Sequence, residues 1–509
     1  MFNTYRARLL AAACGLGIAA GFAAAAHAES LADAIALAYQ TNPTLQAQRA
    51  TQRALDENVV QAKAGFRPTV NGTVSHQDVN LSEGPDRVQD NKTIVVSQPL
   101  YTGGRATAAL SASRADVQAG LQNVRRVEAS VLLSVITSYV DVRRGLEALR
   151  ISQDNVARLR RQLEESQARF DVGDVTRTDV AQAQARFAAA QASLSTAQAN
   201  LGIARAGYAA VVGQSPADLT PEPSLANLLP GTVEQAFTAA ERNNPQILAA
   251  EYTEEASRAR VSQARAARRP TVTFNGNFTQ STGAQFANNG NTLSTTFQAT
   301  MPLFTGGLTS SQIRVALERN NADQLTLENT RRVVLQTITQ AWNQLLGARA
   351  GLVSNEEQVR ATTLAYEGVK QEQQVGLRTT IDVLNAEQEL RNAELALVGS
   401  RRDEYVAASS VLQAMGVLEA RNLTPDVPQY DAAGRSARTA ANLIGWTPTE
   451  PVVRLGDKVG APFPRKGPEE GPIATAPVRV TAPEAPPVGG PGPPPLPPTP
   501  EATPTPVPR

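Results

Sequence analysis

The sequence predicts a mainly α-helical chain with a small β component, built from one structural unit used twice. Three observations predict it. Short motifs recur in the same order at a nearly constant offset, long proline-free stretches carry apolar residues at helical spacing, and between them apolar and polar residues alternate. Composition agrees: of 509 residues 42% are hydrophobic but only 5% aromatic, which suits extended Ala-, Gln- and Arg-rich helices better than compact cores. The 48 Lys and Arg nearly cancel the 47 Asp and Glu, so no basic excess exists to neutralise phosphates, and no nucleic acid partner is expected.

The duplication is read from its anchors. Asn42-Pro43 returns as Asn244-Pro245, and Arg67-Pro68-Thr69-Val70 as Arg269-Pro270-Thr271-Val272, both 202 residues on. The offset becomes 203 for Pro99-Leu100-Tyr101-Thr102-Gly103-Gly104 against Pro302-Leu303-Phe304-Thr305-Gly306-Gly307, and for Val172-Gly173 against Val375-Gly376. The expected organisation is a first repeat over 29–230 and a second over 231–423, each holding a helix, two strands and a long helical hairpin.

Within each repeat, residues 31–65 and 233–268 show apolar residues at helical spacing, and Pro68 and Pro270 stop those helices. Val272, Phe274, Gly276 and Phe278 then alternate with polar residues, as do Leu293, Phe297, Ala299, Met301 and Leu303. Val70, Val74, Ile94, Val96 and Leu100 are the weaker first-repeat version. The polar stretches 77–91 and 281–291 read as loops. Beyond each Gly-Gly, helices run to about Phe170 and Gln374. The return helices repeat Val180, Phe187, Leu194, Leu201 and Tyr208 every seven residues with Ala183, Ala190, Ala197 and Ala204 three positions on, a coiled-coil packing pattern.

The N-terminus predicts export. Arg6 and Arg8 precede a small-residue apolar run that ends in Ala26-His27-Ala28, which reads as a signal peptide over 1–28 cleaved before Glu29. Cys14 and His27 leave with it, so disulfides, Cys/His zinc sites and Cys-His catalysis are excluded, and no cofactor is expected. A catalytic triad could draw only on His76, and no phosphate-binding glycine motif is present, so the chain is not expected to be an enzyme. No stretch of about 20 apolar residues follows, so the exported chain can enter a membrane only as β-strands. Four strands cannot close a barrel, and open edges in lipid leave backbone groups unpaired, so copies must pool their strands. The alternative is a trimeric coiled-coil rod or adhesin whose strands form small soluble sheets. From Trp446 onward lie 20 of the 33 prolines, and residues 424–509 read as a Pro-rich disordered tail.

The ordered set of the two Pro-Leu-(Tyr/Phe)-Thr-Gly-Gly motifs, the segments Val172 to Val180 and Val375 to Glu387, the duplication and the leader resembles the TolC family of outer-membrane efflux and secretion channels. The resemblance implies a homotrimer in the outer membrane of a Gram-negative bacterium. Its twelve-stranded transmembrane β-barrel, surrounded by outer-membrane lipid, continues into a periplasmic α-helical coiled-coil barrel. Such channels serve type I protein secretion, multidrug efflux or both, with a periplasmic adaptor protein and an inner-membrane ABC or RND-type pump. It implies that Asp382 forms a carboxylate ring at the channel constriction able to hold a divalent ion. Asn385 takes the position of a frequent second acidic ring and makes the entrance less acidic. Arg378 matches a gate arginine whose partner positions are Thr178 and Asp179, and Gln373 stands where the family has a gate tyrosine. Val172, Gly173, Val375, Gly376 and Leu377 match the adaptor-docking tips. Gly103, Gly104, Gly306 and Gly307 read as strand-to-helix turns.

Overall fold

The computed structural model describes residues 28–83, 87–284 and 289–424, with a few positions between 429 and 455. The expected leader and Pro-rich tail lie almost wholly outside the described residues. In the first repeat α1 (Leu31–Thr41), α2 (Pro43–Ala64), β1 (Thr69–Val79), β2 (Arg87–Tyr101), α3 (Arg105–Asp171) and α4 (Arg177–Val212) follow one another. The second repeats this order as α5 (Val233–Asn243), α6 (Pro245–Ala266), β3 (Thr271–Ala284), β4 (Gly290–Thr300), α7 (Leu308–Gln374) and α8 (Thr380–Ala414), followed by the short α9 (Ala420–Leu423).

The stretches expected as single helices are each two, because the repeated Asn-Pro anchors are helix starts. Pro43 and Pro245 occupy the first helical turn, where a missing N–H costs nothing, and Asn42 and Asn244 cap them by accepting from the next two backbone amides. Each asparagine has a second task. Asn42 Nδ2 donates to the Val211 carbonyl at 2.9 Å and Asn244 Nδ2 to the Ala414 carbonyl at 2.7 Å. The last turn of α4 therefore abuts the first turn of α2, and that of α8 abuts α6. Helices α2 and α4 pack along α3, a 67-residue helix about 100 Å long.

The four strands form one antiparallel sheet in the order β1-β2-β3-β4, so β2 and β3 join the repeats and β1 and β4 are its two edges. The register lines up one apolar face: Val70 opposite Val96, Ile94 opposite Phe278, Phe278 opposite Leu293 and Phe274 opposite Phe297. The other face is largely polar, with the Thr93 and Thr279 hydroxyls 3.2 Å apart and Ser281 donating to Asn91 at 2.8 Å. The strands run further than their hydrophobic alternation, through Val79 and from Arg87, and through Ala284 and from Gly290, into segments expected as loops. Ladder hydrogen bonds come from the backbone and tolerate polar side chains. Conversely β4 ends at Thr300, short of Met301 and Leu303. His76 pairs with Asp90 across the strands at 2.6 Å.

The main core lies where the short helices meet the long ones: Leu31, Ile35 and Tyr39 of α1 pack with Leu132, Ile136 and Tyr139 of α3, Tyr208 of α4, Ile338 and Leu345 of α7 and Leu412 of α8. The heptad positions Ala183, Ala190, Leu201 and Tyr208 are buried as their spacing predicts. The two repeats differ in one respect. Helix α3 is covered along much of its length, whereas α7 leaves Leu346, Val353 and Leu364 exposed on one face. The equivalent α3 positions, 203 residues earlier, are Arg143, Arg150 and Arg161.

Gly213 and Gly416 end the return helices at φ 99° and 74°. A Cβ at Gly416 would sit 2.5 Å from the Asn243 carbonyl oxygen, whereas at Gly213 the nearest atom is Thr41 Oγ1 at 3.5 Å. Gly213→Ala is expected to cost about 1–2 kcal/mol for the left-handed backbone alone, and Gly416→Ala distinctly more. Urea unfolding followed by circular dichroism should show the larger fall in midpoint for Gly416→Ala.

Candidate functional site at the helical tips

Both helical hairpins reverse with the same chemistry. In the first, Gly173 adopts φ 83° and its N–H donates to the Phe170 carbonyl at 2.9 Å. In the second, Gly376 adopts φ 80° and donates to Gln373 at 3.1 Å while Leu377 N–H reaches the Glu372 carbonyl at 2.8 Å. These bonds satisfy carbonyls left over at the helix ends, and only glycine takes that backbone without strain. Each return helix then opens on a capping box. Thr176 N–H and hydroxyl donate to Asp179 Oδ2 at 2.9 and 2.7 Å, and Thr379 N–H and hydroxyl to Asp382 Oδ2 at 3.0 and 2.7 Å. Val172, Val375 and Leu377 stand out into solvent at the turns.

Asp382, expected at the constriction, thus also caps α8. Both contacts use Oδ2, and among the described residues no hydrogen bond reaches Oδ1. The Thr379 bonds hold its carboxyl below the usual carboxylate range, with Arg378 nearby adding to the effect. Arg378 does not reach Thr178 or Asp179 in this protomer: its Nε donates to Glu372 Oε2 at 2.8 Å, across the turn of its own hairpin, and Asp179 is engaged by Thr176. The first tip has no equivalent link, because Arg169 and Val175 stand where the second has Glu372 and Arg378. Gln373 is buried beneath the turn.

Four further residues tie the two hairpins together near this end. Helix α8 is clamped between the arms of the first hairpin over a single turn. From α3, Arg158 Nε donates to Glu387 Oε1 at 2.9 Å, and Glu387 is only 3% exposed; burial pushes its carboxyl up and the Arg158 guanidinium opposes that push. From α4, Arg186 Nη2 donates to Asn385 Oδ1 at 3.1 Å and Nη1 to Gln388 Oε1. Sequence patterns do not reveal these partners, which lie about 200 residues apart or, for Glu372 and Arg378, on opposite sides of a turn.

At the other end of α3 and α7, Gly103 and Gly104 adopt φ 66° and 86°, and Gly306 and Gly307 adopt φ 58° and 87°. Gly103 is fixed twice over: a Cβ there would meet Arg269 Cβ at 2.8 Å, and its carbonyl accepts from Arg269 Nη1 at 3.0 Å. Among the described residues no group of three His, Cys, Asp or Glu could hold a metal within one chain. No helix among them is long and apolar enough to cross a membrane.

A carboxyl with a depressed folded value stabilises the fold above its unfolded value and loses that stabilisation as pH falls through the folded one. The α8 cap should therefore persist through the ordinary Asp range and fail only below it. In a ¹³C-carboxyl NMR titration the Asp382 midpoint should lie below that of an exposed Asp, and Thr379→Ala should move it up toward the ordinary value.

The family model described as outer membrane efflux protein matches this chain twice, over residues 34–214 and 237–417, one match to each repeat. Outer membrane efflux protein BepC of Brucella suis is 35% identical over 413 residues, which cover 80% of this chain and 89% of BepC. Outer membrane protein TolC of Escherichia coli is 24% identical over 484 residues, covering 90% and 96% of the two chains. The solved structure of the outer membrane protein VceC from Vibrio cholerae superposes with a TM-score of 0.66 at 22% identity, covering 76% of this chain and 96% of VceC. The duplicated, mainly helical architecture with one small antiparallel sheet is shared with these channels, and the chain belongs to the outer membrane efflux protein family.

Proposed function

We propose that the chain is one of three identical subunits of an outer-membrane export channel, which pool twelve strands into a barrel and their helices into a periplasmic tunnel. The observation that carries this reading is the open sheet: β1 and β4 both leave backbone donors and acceptors unpaired, while the sheet between them has an apolar face suited to lipid and a polar face suited to a lumen. The α7 face supports it. Val353 is 68% and Leu364 72% exposed, on a face whose counterpart in α3 is arginine, and a neighbouring copy would cover them. A rod or adhesin would explain the heptads but not the sheet.

The second hairpin tips form the periplasmic entrance. Three Asp382 carboxylates, one from each copy, converge there, and a divalent ion bound between them is shared by the copies. The exposed Val172, Val375 and Leu377 around Gly173 and Gly376 offer apolar contacts to a periplasmic adaptor, which joins the tunnel to an inner-membrane pump. The family consists of channels rather than enzymes, and this channel passes what the pump selects, by efflux, by type I secretion or both.

Single-channel recording in planar bilayers tests the reading. Wild type should give a small steady current reduced by millimolar divalent cations added on the tip side, and Asp382→Ala should lose that block. Failure of the assembled protein to insert would overturn the channel, and block unchanged in Asp382→Ala would overturn the carboxylate ring.

A further inference from the structure

The duplication that builds the chain also indicates how its open side is covered. Within one chain β2, the second strand of the first repeat, pairs with β3, the first strand of the second, and α3 packs against α6 and α8 of the following repeat. In the second repeat β4 and α7 hold the places of β2 and α3, and the elements that would continue the row, β1, α2 and α4, recur only in another copy. What the first repeat covers, the second leaves bare. Arg269 closes over Gly103, whereas among the described residues a Cβ at Gly306 or Gly307 would meet nothing within 4 Å. Strand β2 continues through Tyr101 because β3 pairs with it, but β4 stops at Thr300, and Leu303 and Phe304 are each 90% exposed where Leu100 and Tyr101 are half-buried.

Shifting the internal contacts by one repeat, 203 residues for the long helices and 202 for α6 and β3 against α2 and β1, names the partners. Three ion pairs cross the internal seam: Arg260 to Asp116 at 2.6 Å, Arg402 to Asp141 at 2.9 Å and Arg158 to Glu387 at 2.9 Å. The shifted positions hold Asn58 with Arg319, Ala199 with Gln344 and Gln184 with Ala361, so none of the three can form. Arg143 and Arg150, which line a crevice with Leu397 and Glu394 of α8, become Leu346 and Val353 opposite Leu194 and Gln191. We propose that α7 and β4 of one copy dock onto α2, α4 and β1 of the next in the register that joins the repeats within a chain, and that this seam replaces ion pairs with apolar and uncharged contacts. Arg67 of the next copy then completes the turn at Gly306. The proposal rests on the reading of the chain as one subunit of a ring, and adds which faces meet and through which residues. A seam between separate chains gains from burying Leu346 and Val353, which salt does not screen, whereas the internal seam is tethered by the chain and tolerates polar pairs that salt weakens.

The test is cross-linking of full-length double-cysteine variants in outer membranes with a short bismaleimide. Cys14 is the chain's one native cysteine and falls in the expected leader, so the introduced pairs report alone, with single-cysteine variants as controls. Gln184→Cys with Ala361→Cys, and Ala199→Cys with Gln344→Cys, all at exposed positions, should each give covalent two- and three-chain species. Ile203→Cys with Ala361→Cys, about 28 Å out of register along α4, should give none. Writing the first-repeat residues into the second, as Leu346→Arg with Val353→Arg, should dissociate the oligomer, whereas Arg402→Gln in the internal seam should leave it assembled, as native mass spectrometry would show. Absence of cross-links from both in-register pairs in an assembled oligomer, or equal yield from the out-of-register pair, would overturn the docking register. An oligomer unaffected by the two arginines would overturn its apolar character. A monomer, or a cross-linked ladder ending at a number other than three, would instead overturn the three-subunit reading beneath it.

Discussion

A four-stranded sheet with an apolar face cannot stand alone in a membrane, because β1 and β4 each carry a row of backbone N–H and C=O groups that hydrocarbon cannot satisfy. Every unpaired group costs several kcal/mol, and an edge holds many of them. The duplication does not remove this problem: it sets two hairpins side by side through β2 and β3 and leaves one edge from each repeat free. Closure must therefore come from other copies. Those copies also account for the asymmetry of the helices, since α3 is covered along much of its length by its own chain whereas α7 exposes Leu346, Val353 and Leu364 where α3 carries arginines. The same constraint thus acts on the backbone at one end of the molecule and on side chains along its length.

The helical end solves a different problem. A hairpin of long helices must turn tightly and restart, and both tips do so with a glycine in the left-handed region followed by a Thr-Asp capping box. On that common frame the second tip carries additions the first lacks: Arg378 on Glu372, and a turn of α8 clamped by Arg158 and Arg186. The cap bonds of Asp382 both go to Oδ2, so its structural role at the start of α8 uses one carboxylate oxygen. The links from Arg158 and Arg186 tie the second hairpin to the first, so any widening of the tips has to break or carry them.

Much of this was legible in the sequence because periodicity and duplication are direct consequences of packing. The heptads at Ala183, Ala190, Leu201 and Tyr208 are buried, and the alternation around Phe274 and Phe278 marks one face of a real sheet. What stayed hidden has identifiable causes. The break at Asn42 is invisible to periodicity because helix lies on both sides and proline is harmless at a helix start. The outer parts of the strands are polar, and backbone pairing leaves no mark on composition. The bond between Glu372 and Arg378 could not be read because the two face each other only once the turn at Gly376 is made, and the Arg186 clasp joins residues about 200 positions apart.

The most direct test of the central claim, that the sheet is completed by copies of the same chain, is native mass spectrometry of the detergent-solubilised protein extracted from outer membranes. Three chains per particle, persisting until the detergent unfolds the sheet, is the predicted result. A monomer or dimer that remains folded and membrane-embedded would contradict it, because its free edges would then have to be satisfied in some other way.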